Sequence, residues 1–185
     1  MAKARSTFLK EFLKRGNKVG SVAPSSRFLV RKMIANLDFA HAKVIVELGP
    51  GEGCITRELV KKLSPHTHLF VFEMNAQFVE DFLQFDNPNV HVINDSAEHV
   101  RKYVEAAGFT EVDYVISSLP LTIFPQALKE KIVADSAGIL KPGGLYRQYQ
   151  YSTTALKLLK SKFQRVKLDY TPFNIPPAFV YTCSN

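Results

Sequence analysis

Apolar residues in this chain fall in short runs that close on a polar or acidic residue, and stretches with helical spacing separate the runs. Val44–Leu48 is rich in β-branched side chains and too short for a helix, so it reads as a buried parallel strand. Similar runs predict strands near 68–73, 89–94 and 112–117. Helices are expected near 54–63, 75–84, 97–107 and 124–138. Lys141-Pro142-Gly143-Gly144 predicts a turn before an alternating strand, Leu145–Tyr151, and Thr153–Lys162 a basic helix. Arg165–Tyr170 and Ala178–Cys183 read as a closing pair of strands around Asn174-Ile175-Pro176-Pro177. Upstream, Ser25 or Ser26 is placed to cap a helix over Arg27–Asn36. Strand–helix alternation implies an α/β fold: a Rossmann-like, mostly parallel seven-stranded sheet, helices on both faces and an antiparallel hairpin at its end.

The first predicted strand runs straight into three alternate glycines, Glu47-Leu48-Gly49-Pro50-Gly51-Glu52-Gly53. Glycines here allow a sharp turn and let a ligand touch bare backbone. A strand, a glycine turn and a helix form a nucleoside-binding unit at the carboxyl edge of a sheet. The spacing departs from a dinucleotide fingerprint: the third glycine comes one position early, and Glu52 would repel a pyrophosphate. S-adenosylmethionine (SAM) has no phosphate and carries a sulfonium and an ammonium, so Glu47 and Glu52 are compatible with it. Glu73 closes the second run 26 positions after Glu47, the spacing at which a carboxylate grips ribose hydroxyls, and Met74 follows it. Asp95 and Ser96 close the third run and suit an adenine amino group. The fourth ends at Ser117-Ser118-Leu119-Pro120, where a methyl acceptor is expected to meet the sulfonium.

Charge adds a partner to this picture. The net charge is +7, but residues 1–32 hold nine Lys/Arg against one acid, Glu11, a balance of +8. The remainder is then close to neutral at −1. Within this arm Phe8, Leu9, Phe12 and Leu13 recur at helical spacing among Lys3, Arg5, Lys10, Lys14 and Arg15. A basic amphipathic helix with aromatic residues on its apolar face suits an anionic membrane surface; packing on the domain is the alternative. Residues 1–185 are read as one domain, with residues 1–36 as a basic helical arm or lid within it. No apolar run approaches a membrane span and no secretory signal is visible, so a cytoplasmic, peripherally membrane-associated protein is expected. Cys54 and Cys183 form no C-x-x-C pair and the five histidines no ligand pattern, so no metal is expected.

The chain resembles the bacterial phospholipid N-methyltransferases, a class I SAM-dependent family related to the rRNA adenine dimethylases. The matching stretches are Gly20-Ser21-Val22-Ala23-Pro24-Ser25-Ser26, Val46–Gly53, Ser118-Leu119-Pro120-Leu121, Lys141–Gly144 and Asn174–Tyr181. The resemblance implies methylation of a membrane-lipid amine such as that of phosphatidylethanolamine, or of an ornithine lipid. It implies a cofactor site built from Gly20, Ser21, Glu47, Gly49, Gly51, Gly53, Glu73, Met74, Asp95, Ser96 and Ser117. Ser117, Leu119 and Pro120 are then expected to flank the acceptor amine through backbone carbonyls. Tyr151 and Tyr181 are candidates to support the charging nitrogen by cation–π contact, with aromatic packing between strands as the alternative. Two departures concern the acceptor: Ser117-Ser118 replaces the family's Ser-Gly, and Gln148-Tyr149-Gln150-Tyr151 replaces Gln-aromatic-Thr-Tyr.

Two other readings fit parts of the chain. An RNA adenine-N6 methyltransferase would use the basic arm on phosphates. It would also need an amide and an aromatic ring at the acceptor corner to capture a flipped base, and Ser118-Leu119-Pro120-Leu121 has neither. A non-catalytic SAM-binding module is the other.

Overall fold

The computed structural model describes residues 25–185. Gly20, Ser21 and the amphipathic stretch around Phe8–Leu13 lie outside the described residues. The elements in chain order are α1 (Arg27–Ile34), β1 (Val44–Leu48), α2 (Cys54–Val60), β2 (His68–Phe72), α3 (Ala76–Phe82) and β3 (Val90–Ile93). They continue as a 3₁₀ turn (Ala97–His99), α4 (Val100–Ala106), β4 (Val112–Ser117), α5 (Gln126–Ile139), β5 (Leu140–Gln150), α6 (Leu156–Lys162), β6 (Arg165–Thr171) and β7 (Ala178–Ser184). Among the described residues the expected strands and helices are present, several helices being shorter by a turn.

Seven strands form one sheet in the order β3-β2-β1-β4-β5-β7-β6. Strands β1 to β5 pair in parallel, and β7 runs antiparallel to both β5 and β6. The chain builds outward from β1 through β2 to β3, then returns to lay β4 against the other side of β1. That reversal opens a crevice past the carboxyl ends of β1 and β4, where ligands bind in open α/β sheets.

The pleat of β1 divides the core. Val44, Val46 and Leu48 pack with Val100, Leu128 and Ile132 on one face. Ile45 packs with Leu29, Met33, Ile55 and Leu59 on the other. All five β1 residues are buried, as a strand covered on both faces requires. Ser26 caps α1 by accepting a hydrogen bond from Leu29 N at 3.3 Å. The buried Arg147 donates to the α1 carbonyl of Lys32 (2.6 Å) and to that of Ala35 (2.9 Å). A cation on the carbonyl end of a helix satisfies acceptors the helix cannot, and here it ties α1 to β5.

One expectation needs correction. Lys141–Gly144 is not a turn ahead of the strand but lies within β5, which begins at Leu140. Leu140 pairs with Val112 and Leu145 with Tyr114, so β5 advances five residues while β4 advances two. The extra residues bulge beside Asp113, whose carboxylate accepts from Lys43 N (2.7 Å) and Val44 N (2.8 Å) and pairs with Lys141. Pairing on both sides of the bulge makes the segment one strand.

Candidate active site

A cavity of about 200 Å³ opens at the crevice. Its wall takes residues from four consecutive strand ends: Gly49 and Gly51 after β1, Glu73 and Met74 after β2, Asp95 and Ser96 after β3, and Ser118, Leu119 and Pro120 after β4. These are the positions the sequence singled out. The chain brings them together because parallel strands end on one edge.

The glycine loop contributes backbone. Gly51 has φ +55°, and a Cβ built there meets nothing within 4 Å, so bare backbone faces open space. Its N–H donates to Glu73 Oε2 at 3.2 Å. Gly53 serves packing instead. It adopts φ +76°, is buried, and a Cβ there would lie 2.4 Å from the Phe82 ring. The expectation that Gly53 touches the cofactor is therefore not what its position serves; it lets α2 begin against α3.

Glu73 is almost fully buried. It accepts from Gly51 N and, through Oε1, from Asn75 N at 2.8 Å. Burial pushes its carboxyl above the usual range, and those backbone hydrogen bonds offset part of the rise. Each oxygen keeps acceptor capacity beyond these bonds, which suits a cis-diol. Asp95 accepts from Ser96 N (2.7 Å), His99 Nδ1 (3.1 Å) and Tyr103 Oη (2.9 Å). Burial pushes its carboxyl up, but these donors together outweigh it and hold it below the usual range.

Several expected site residues sit elsewhere. Glu47 is fully buried and does not line the cavity. By the pleat of β1 it shares the Ile45 face, beside the Thr56 hydroxyl, which lies close enough to lower its carboxyl in part without meeting full hydrogen-bond geometry. Burial pushes its carboxyl up to about 8. Ser117 is fully buried too; its Oγ accepts from Leu119 N at 3.3 Å and so shapes the corner from behind. Ser118 reaches the cavity instead. The Leu119 carbonyl accepts from Gln148 Nε2 (3.0 Å) and Gln150 Nε2 (2.7 Å). Both of its lone pairs are engaged, so it holds the corner in place and has no acceptor left for an amine. Tyr151 lies past β5, stacked edge-on with Tyr149 at 5.8 Å and off the cavity wall, and burial pushes its hydroxyl up to about 12. Tyr181 is buried and donates to Ser152 O at 3.2 Å.

The apolar lining (Phe78, Phe124 and Ile132) escaped the sequence reading. Nothing in their local pattern separates them from core residues. Gln148 and Gln150 left a faint signal: two amides at alternate positions on one face of a buried strand.

The residues present suit SAM. The cavity offers a diol-binding carboxylate, an anionic Asp95, bare backbone at Gly51 and apolar walls, and the described residues that line it include no cationic side chain for a phosphate. Fold and site together define a class I SAM-dependent methyltransferase, and S-adenosylmethionine is its cofactor.

Residues 19–171 match the methyltransferase small domain family, and the chain belongs to that family. An ornithine lipid N-methyltransferase of Singulisphaera acidiphila is 30% identical over 179 residues, 95% of this chain and 93% of that protein. Two solved structures share the fold. Precorrin-6y C5,15-methyltransferase from Geobacter metallireducens superposes with TM-score 0.64 at 15% identity, covering 89% of this chain and 94% of its own. The 1,6-didemethyltoxoflavin-N1-methyltransferase of Burkholderia thailandensis, solved with S-adenosylhomocysteine, has TM-score 0.64 at 14% identity over 100% and 88%.

Proposed function

We propose that this methyltransferase transfers the SAM methyl group to the amine of a membrane lipid, of the ornithine-lipid or phosphatidylethanolamine type, while bound peripherally to an anionic membrane. The observation that carries this reading is the near full-length match to a protein named ornithine lipid N-methyltransferase. The acceptor corner supports it. Ser118-Leu119-Pro120 presents a small hydroxyl and apolar carbon, which leaves room for an aliphatic amine, and the segment lacks the amide that would clamp a flipped base. No helix among the described residues is long and apolar enough to cross a membrane, so the proposed attachment is to the surface.

When bound, SAM supplies an electrophilic methyl on a sulfonium. Glu73 and the Gly51 backbone hold the sugar end, and the Asp95–Ser96 corner the base end. Gln148 and Gln150 fix the Leu119 carbonyl, and with it the direction of the Ser118–Pro120 wall. Phe124 and Ile132 keep that region dry. An amine must arrive neutral to act as nucleophile, and an apolar, desolvated wall favours the neutral form over the ammonium. Orientation and desolvation then supply the rate gain.

The test is incubation with methyl-labelled SAM and vesicles of defined lipids, followed by separation of the lipids. Label is expected in the amine-bearing lipid. Label in added RNA and in no lipid would replace this reading with the adenine-methylating one.

A further inference from the structure

The two most exposed large apolar side chains among the described residues, Ile175 and Phe173, sit at the sheet edge that carries the cofactor cavity. Thr171 pairs with Ala178, and Phe179 with Gln150 at the carboxyl end of β5, so the β6–β7 loop lies on that edge. At its tip Phe173 is 69% exposed and Ile175 is 79% exposed. The loop is pinned rather than loose. Asn174, between them, is buried, accepts from Ser26 N at 2.9 Å and donates to Pro176 O at 2.7 Å. Burying the middle residue leaves its two apolar neighbours in water. Phe28, in the first turn of α1, is also exposed and packs against Phe173 with ring centroids 5.2 Å apart and planes tilted by 42°. Ile123, in the loop that leaves the Ser118–Pro120 corner, adds an apolar side chain on the same edge.

Cations border this platform. Arg27 sits over the Phe28 ring at 5.0 Å. Arg27 and Arg31 of α1 face Arg57 of α2 and Lys61 at its C-terminal cap across a groove of about 370 Å³, in which the acid is Glu58, paired with Lys61 at 2.6 Å. Exposed aromatic and aliphatic side chains beside a cationic groove match the layering of an anionic bilayer, whose phosphates overlie its acyl chains.

We propose that the β6–β7 loop and the first turn of α1 form a docking surface for an anionic phospholipid bilayer. Phe173 and Ile175 enter the headgroup–acyl boundary, and Arg27, Arg31 and Arg57 meet lipid phosphates. The inference rests on the lipid-amine reading above and deepens it, because docking by this edge turns the cavity mouth toward the headgroups. It assigns a membrane contact separate from the basic arm of residues 1–18.

The chain has no tryptophan, so Phe173→Trp in the full-length protein is a unique reporter. Vesicles of phosphatidylcholine with phosphatidylglycerol are expected to shift its emission to the blue, and acyl-chain bromination to quench it. The Phe173→Glu/Ile175→Glu variant is expected to bind these vesicles about tenfold more weakly or worse, with S-adenosylhomocysteine binding by calorimetry unchanged as the folding control. Unaltered vesicle affinity in that variant, or a blue shift that brominated lipid does not quench, would overturn the proposal; the second result would mean that the chain's own arm covers the platform. Failure of the wild-type protein to bind vesicles would overturn it as well. Loop-dependent docking with no label in phosphatidylethanolamine or ornithine lipid added to the vesicles with methyl-labelled SAM would support the surface and sink the lipid-amine substrate.

Discussion

Glu47 lies on β1 and Glu73 just past the end of its neighbour β2, and two residues of chain separate their roles. Glu47 sits level with Val71 in the sheet, so Glu73 lies two residues beyond it, past the strand end and in the cavity. Replacing Glu73 with alanine removes the diol acceptor. S-adenosylhomocysteine affinity is expected to fall about 10- to 100-fold by calorimetry, roughly 1.4–2.8 kcal/mol. Glu47 instead carries a pH dependence of stability. Its folded pKa of about 8 lies above the usual 4.5, so the folded protein holds a proton that the unfolded chain releases. Its stabilising contribution is complete below about 4.5 and is lost as pH rises toward about 8. The Glu47→Gln variant is expected to melt with wild type near pH ~4 and above it near pH ~9, by on the order of 1–4 kcal/mol. Equal melting shifts at both pH values would show that Glu47 is ionised in the folded state.

The glycine loop and the β4 corner position chemistry through backbone rather than side chains. Their glycines separate into folding and binding roles, and the separation is measurable. Gly53→Ala places a Cβ in the left-handed region and into the Phe82 ring. A loss of about 2–4 kcal/mol is expected in chemical denaturation. Gly51→Ala meets no neighbour, so its stability cost is held to about 1 kcal/mol, while S-adenosylhomocysteine affinity drops about tenfold or more. Equal losses of stability in the two variants would contradict this division. On the opposite side of the cavity, Gln148 and Gln150 reach from β5 to hold the Leu119 carbonyl. The strand order makes this possible, since β4 and β5 are parallel neighbours with Ser117 level with Gln148.

For the molecule entire, charge and fold are segregated. Residues 1–32 carry +8 and the remainder −1, so the proposed attraction to an anionic surface is expected to come mainly from the arm and α1. Deleting residues 1–18 is expected to weaken binding to anionic vesicles while S-adenosylhomocysteine binding by calorimetry persists. Binding by the intact protein is expected to weaken as salt rises, because the Debye length falls from about 10 Å at 0.1 M to about 3 Å at 1 M. Salt-insensitive binding would mean that apolar contact alone holds the protein on the membrane. The edge strand β6 exposes Arg165 and Lys167, and charged side chains on an edge strand discourage pairing with another sheet.

The strands, their order along the chain and the acids that close them were legible in sequence, because buried parallel strands need continuous apolar runs and their carboxyl ends need turns. Glu73, Asp95 and the Ser118–Pro120 corner could be placed at the site on that ground alone. Sequence could not say which of two adjacent residues faces the cavity, since a strand's last side chain and the next differ by a half-turn of pleat. Ser117 and Ser118 exchanged roles for that reason, and Glu47 turned from ligand contact to buried acid. Nor could it see that Lys141–Gly144 would be taken into a strand, because the partner that pairs across the bulge is distant in sequence. Only tertiary structure gathered Phe124 and Ile132 around the corner and left Phe173 and Ile175 in solvent, for burial depends on which surfaces the whole chain brings into contact.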